Sequence, residues 1–158
     1  MPNKNTFTIK PIRELIMKYH GGVVIDPFAR DSLLGSITND LNPECKTTYN
    51  LDALDFLKLM KSNSADLILF DPPYSLRQVK ECYDGIGLSL TGHQSRHFFS
   101  DIKNEIKRVL KIGGIVISFG WDSNGMGINR GFDKIELLLV AHGGIHHDTI
   151  CLIESKSS

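Results

Sequence analysis

A chain of 158 residues, 41% of them hydrophobic, is long enough to bury one full core and too short for two ordinary domains. Lysine plus arginine equals aspartate plus glutamate, 18 against 18, which excludes a global cationic field; any contact with nucleic acid would rest on local basic patches of modest non-specific affinity. No apolar run approaches a membrane span, and Met1-Pro2-Asn3-Lys4-Asn5 does not open a signal peptide. Cys45, Cys82 and Cys151 are odd in number and lack zinc or disulfide spacing. The expectation is a reduced, cytoplasmic protein whose residues 1–158 form a single domain.

Taken in order, Ile12, Leu15, Ile16 and Tyr19 follow Pro11 at helical spacing, and Gly21-Gly22 stops the run, which predicts a short amphipathic helix. Val23-Val24-Ile25 reads as a strand buried on both faces and closed by Asp26-Pro27. Ile37-Thr38-Asn39 predicts a second strand ending in Asp40, where a carboxylate accepts hydrogen bonds from ribose hydroxyls or simply holds a turn. Only residues 42–46 separate it from a third expected strand at residues 47–51. An ordinary crossover helix does not fit there, so the link is a tight antiparallel connection or a much reduced crossover. Asp52 caps the helix predicted from Ala53 to Met60.

Asp66-Leu67-Ile68-Leu69-Phe70 is the clearest buried strand, and Pro72-Pro73 forbids a helix there. Asp71 therefore stands at the carboxyl end of a strand, the edge where open α/β sheets bind ligands. Residues 75–94 are the least regular part, suited to a flap over a substrate, with Tyr83 as an anchor or a second stacking face. Phe98, Phe99, Ile102, Ile106, Val109 and Leu110 form the stripe of a helix ended by Gly113-Gly114, and Ile115 to Phe119 make the next strand. Trp121 in the following loop is an apolar plug or a pocket wall. Residues 135–141 and 148–153 suit a terminal antiparallel hairpin. Its turn holds His142, His146 and His147, which without partnering acids or thiols are read as loop or site-border residues and not as a metal site.

The string Asp71-Pro72-Pro73-Tyr74 resembles the signature of the amino-methyltransferases that methylate the exocyclic N6 of adenine in DNA. Several segments are also similar to the small DNA adenine methyltransferases of bacteriophages. The resemblance implies an α/β, Rossmann-like class I methyltransferase sheet, mostly parallel with a C-terminal antiparallel hairpin and helices on both faces. It implies S-adenosylmethionine as cofactor and Asp71, Pro72, Pro73 and Tyr74 as catalytic residues. For the cofactor it points to Asp26, Pro27, Phe28 and Ala29 in the first turn, to Phe7, Lys10 and Pro11 ahead of the first strand, and to Asp52, Ala53 and Asp71. Packing for Phe7, solvation for Lys10 and helix capping for Asp52 are sufficient explanations on their own. The family usually continues the first turn with glycines where this chain has Arg30 and Ser32. Arg30 must point away or take φ values that glycine tolerates far better.

The chemistry explains these residues independently. An aryl amine is a poor nucleophile because its lone pair is delocalised into the ring. Two acceptors aimed at its N–H bonds, the Asp71 carboxylate and the Pro72 carbonyl, would pull the nitrogen toward tetrahedral geometry and stabilise charge that develops in the transition state. Prolines fix φ and carry no N–H to compete for those acceptors. Tyr74 offers a face on which a base stacks, worth roughly 1–3 kcal/mol. With no target-recognition domain expected, the reading is loose or short-site specificity on single- or double-stranded DNA, or a homodimer that builds the cleft from two copies. The alternatives are a methyltransferase for RNA adenine or another planar amine, and a non-catalytic binding protein with the same fold.

Overall fold

Short apolar runs of three or four residues become the central strands. The computed structural model describes residues 6–144 and 147–158. Strands β1 (Val24–Asp26), β2 (Ile37–Thr38), β3 (Ala65–Phe70), β4 (Leu110–Gly120), β5 (Phe132–Val140) and β6 (Thr149–Lys156) form one sheet in the order β2-β1-β3-β4-β6-β5. The first four are parallel; β6 runs antiparallel to β4 and to β5. This is the mostly parallel α/β sheet with a C-terminal antiparallel pair that was expected, and it directs the carboxyl ends of β1, β3 and β4 to one edge.

Alternation along β3 explains the layers. Leu67 and Leu69 face helix α1 (Lys10–Tyr19), whose Ile12, Leu15 and Ile16 are buried against them with Val24 and Ile117. Ile68 and Phe70 face the other way, toward Phe56 and Leu57 of α2 (Ala53–Leu59), Val79 of α3 (Leu76–Asp84) and Ile102 and Ile106 of α4 (Gly92–Val109). Helices thus cover both faces. Burying each of these Leu and Ile side chains is worth about 1.5–3 kcal/mol, enough to hold strand register against the cost of chain ordering. The start of β3 is pinned by Asp66, which accepts from the Val23 N–H at 2.8 Å and pairs with Lys111 at 2.9 Å. Among the described residues no helix is long and apolar enough to cross a membrane.

Three expectations are corrected. The third strand at residues 47–51 is only an isolated parallel bridge between Asn39 and Tyr49. With β2 just two residues long there is little ladder to join, and side chains take over: Thr38 and Thr48 exchange bonds, and the Asn50 amide reaches the carbonyls of Asp40, Asn42 and Cys45. The link from β2 is therefore a much reduced crossover. The irregular stretch 75–94 contains helix α3, started by Ser75, whose hydroxyl accepts from the Gln78 N–H, and it runs into α4 six residues before Phe98 through a capping box of Thr91 and Gln94. Gly113-Gly114 does not end α4, which stops at Val109. The glycines lie inside β4, where the pairing with β3 jumps from Ala65–Leu110 to Leu67–Ile115 and Gly113 takes φ 79°.

Candidate active site

The turn after β1 is rebuilt by side chains from the end of β2. Arg30 sits at φ 52°, the left-handed conformation expected of a residue in a glycine position. Its N–H donates to Asp40 Oδ2 at 2.9 Å, while Asp40 Oδ1 accepts from the Asn42 N–H at 2.9 Å. Asn39, fully buried, accepts from Ala29 N through its carbonyl and donates to the carbonyls of Pro27 and Leu51 through its amide. Asp40 and Asn39 thus impose the conformation that glycines would permit.

Above this turn lies a cavity of about 580 Å³. Pro27, Phe28 and Arg30 form its floor, Asn39, Asp40 and Leu41 one wall, Ala53 and Pro73 another, and Val79, Cys82 and Tyr83 of α3 close it from above. Of the predicted cofactor residues, Pro27, Phe28, Asp40 and Ala53 line this space. Asp26 and Ala29 are buried beneath it: Asp26 Oδ1 accepts from the Phe28 N–H at 3.2 Å and shapes the turn. Asp52 caps α2 by accepting from the N–H groups of Leu54 and Asp55, and its other oxygen accepts from the Tyr83 hydroxyl, so this carboxylate ties the roof to the wall. Burial raises its pKa. Phe7, Lys10 and Pro11 are not brought to the cavity. Phe7 packs on Phe119 at 5.1 Å in the core beneath α1, and Lys10 is solvated beside Glu14 at 3.9 Å. Pro11 is exposed in the first turn of α1.

Polar atoms at the neighbouring strand ends are treated differently. Among the described residues, Asp26 Oδ2, Asp71 Oδ1, Tyr74 Oη and Ser118 Oγ are buried and make no hydrogen bond of ordinary geometry, although the Tyr74 hydroxyl lies close enough to Asp71 to act on its charge. Folded proteins pair nearly all such atoms, yet these belong to the carboxyl-terminal ends of β1, β3 and β4 and the turn after β3, with Ser118 in register beside Phe70. Burial pushes the Asp71 carboxyl up to about 7, with the Arg30 charge pulling it the other way. Asp26 is raised by burial and then by the charge of Asp71. Burial and Asp71 together push the Cys151 thiol to about 12, which keeps it neutral. Pro72 and Pro73 are buried, and Pro73 also lines the cavity, so the cavity runs up to the Asp71 turn.

Aromatic rings border this end. Trp121 meets Tyr74 edge-on, 5.1 Å between centroids at 82°, and lies 4.8 Å from His147. His142 bonds the Thr149 hydroxyl at 2.7 Å; His146 falls outside the described residues. The sequence reading missed Asn39 and the roof of α3. The spacing of Val79 and Tyr83, four apart, was the signal for that helix, hidden by the glycines that follow.

No protein-family model matches the chain, and no curated protein matches it. Solved structures do. A SAM-dependent methyltransferase from Archaeoglobus fulgidus superposes with a TM-score of 0.67 at 11% identity, covering 97% of this chain and 95% of that one. TrmN from Thermus thermophilus gives 0.60 at 18% identity, covering 91% of this chain and 47% of that chain. The 1,6-didemethyltoxoflavin-N1-methyltransferase of Burkholderia thailandensis, solved with S-adenosylhomocysteine, gives 0.64 at 11% identity over 98% of this chain and 80% of that chain. What these chains share at such identities is the Rossmann-like methyltransferase fold.

Proposed function

We propose that this chain is a cytoplasmic methyltransferase that uses S-adenosylmethionine to methylate the exocyclic N6 amine of adenine in DNA. The observation that carries the reading is the buried Oδ1 of Asp71, which takes no backbone N–H among the described residues, at the carboxyl end of β3 beside the Pro72 carbonyl and at the end of a cavity of cofactor size. The residues present suit the cofactor. Asp40 spends one acceptor site per oxygen on backbone N–H groups and keeps others for ribose hydroxyls, and Phe28 and Ala53 give apolar walls for a purine. When bound, S-adenosylmethionine supplies an electrophilic methyl group on a sulfonium.

The chain's own residues do the rest. Asp71 Oδ1 and the Pro72 carbonyl accept the two N–H bonds of the amine, localising its lone pair. Because both acceptors are held in place by the proline turn, they cost no reorganisation as charge builds on nitrogen. Asp71 must be ionised to stabilise the growing positive charge and to take the amine's proton, so the reaction rate rises with pH through about 7. The same oxygen receives the proton that the methylated nitrogen loses.

Incubation of the protein and S-adenosylmethionine with single-stranded DNA, duplex DNA and RNA oligonucleotides, followed by mass spectrometry of the nucleosides, tests this. N6-methyldeoxyadenosine from DNA is expected. Product from RNA alone would move the substrate to RNA, and no product with any of the three, or full turnover by Asp71→Ala, would overturn the reading.

A further inference from the structure

The loop after β4 presents a tryptophan to the same edge and is held far more firmly than a surface loop requires. Glu154 on β6 is fully buried and spends its carboxylate on this loop, with Oε1 accepting from the Met126 N–H at 2.7 Å and Oε2 from the Gly127 N–H at 3.2 Å. Gly125 takes φ 58° directly over that carboxylate, where any side chain would collide with it. Met126 is buried, Arg130 donates to its carbonyl at 3.1 Å, and Lys134 donates to the Ser123 carbonyl at 2.6 Å. A buried carboxylate recruited to fix a loop is costly unless the loop's position matters.

Trp121 opens this loop, directly after Gly120 at the end of β4. It keeps 43% of its surface exposed although Tyr74 meets it edge-on and His147 lies against it. A large apolar ring left partly open against Tyr74, three residues on from Asp71, is a surface prepared for another flat ring. The contact to Tyr74 joins Trp121 to the turn that carries Asp71 and Pro72.

We propose that Trp121 is the wall on which the substrate base stacks, a specificity-determining residue for a flat heteroaromatic amine delivered unpaired, in a single strand or flipped from a duplex. This rests on the adenine reading of the Asp71 site and names the residue that selects the ring. Stacking without edge readout tolerates any sequence around the base, in keeping with a chain that carries no net charge to grip a duplex.

Trp121 is the one tryptophan of the chain, so its emission reports on this site alone. The full chain, without cofactor, is titrated with a single-stranded oligonucleotide carrying one adenine and with the same strand carrying an abasic site instead. Saturable quenching by the first and much weaker quenching by the second is expected. With S-adenosylmethionine present, Trp121→Ala should raise KM about 5- to 150-fold and leave kcat nearly unchanged. Trp121→Phe should recover most of the loss. Emission indifferent to the adenine, or a wild-type KM in Trp121→Ala, would overturn the proposal even if methyl transfer proceeds. Quenching without methyl transfer would uphold the stacking wall and remove the methyltransferase reading.

Discussion

The turns after β1 and β3 are made from the same parts, a strand buried on both faces that ends in Asp-Pro, and they finish in different states. In the first, Asp26 Oδ1 accepts from the N–H of the residue two places on, Phe28. In the second, the residue two places on is Pro73, which has no N–H, and Pro72 has none either. The next available donor, the Tyr74 N–H, is turned aside to the Gln78 side chain on α3 at 2.8 Å. Among the described residues, Asp71 Oδ1 is thereby left buried with no backbone N–H to accept from. Each carboxylate has one buried oxygen without a partner among the described residues, and the difference between them is the backbone N–H two places on, present at Phe28 and absent at Pro73.

Breaking the second turn should have the largest effect. Asp71→Asn removes the charged acceptor and should lower kcat about 10²–10³-fold, read by steady-state methyl transfer. The same variant should be more stable. The folded pKa of Asp71, about 7, lies above the ordinary carboxylate value of 3.8, so the native state loses stability as pH rises from about 4 to 7 and carries the full penalty above that. Melting curves should show Asp71→Asn above wild type at pH 8 and no such advantage below pH 4.

Making the second turn resemble the first is the next test. Pro73→Ala restores an N–H where Phe28 has one. It should satisfy Asp71, move the limb of the kcat–pH profile to lower pH, and cut turnover by roughly 10-fold through competition with the substrate amine. An unmoved profile would mean that the second proline is not what keeps the carboxylate free.

Smaller effects are expected in the first turn, whose Phe28 and Arg30 N–H groups are already paired. Asp40→Ala strips the acceptors from the N–H groups of Arg30 and Asn42 and should cost about 2 kcal/mol of stability in denaturant melts, with weaker cofactor binding by calorimetry. Arg30→Gly should gain about 1 kcal/mol by relieving the left-handed backbone. It also deletes the charge that favours ionised Asp71, so the activity limb should move to higher pH while stability improves. Opposite signs for those two readouts would tie the turns to each other.

Much of this architecture was legible along the chain because it depends on short-range patterns. Residues 66–70 alternate between two buried faces, Asp52 precedes a helical stripe, and Asp26 and Asp71 each follow an apolar run. Helix α3 was hidden because its apolar residues, Val79 and Tyr83, stand among charges and are followed by Gly85 and Gly87. The strand expected at residues 47–51 failed because β propensity needs a partner ladder, and β2 offers two residues. Phe7 and Lys10 were placed near the cofactor by resemblance; packing put one under α1 and the other in water.

The sequence by itself determined that Asp71 has no donor among its immediate neighbours, since two consecutive prolines carry none. Only the tertiary structure decided which groups come near it instead, the Arg30 charge and the Tyr74 hydroxyl among them, while the Arg30 N–H finds Asp40 and Tyr83 finds Asp52 across 10 and 31 residues. Local covalent chemistry sets which hydrogen bonds are impossible near a residue, and chain packing sets which remote groups come close enough to form the rest.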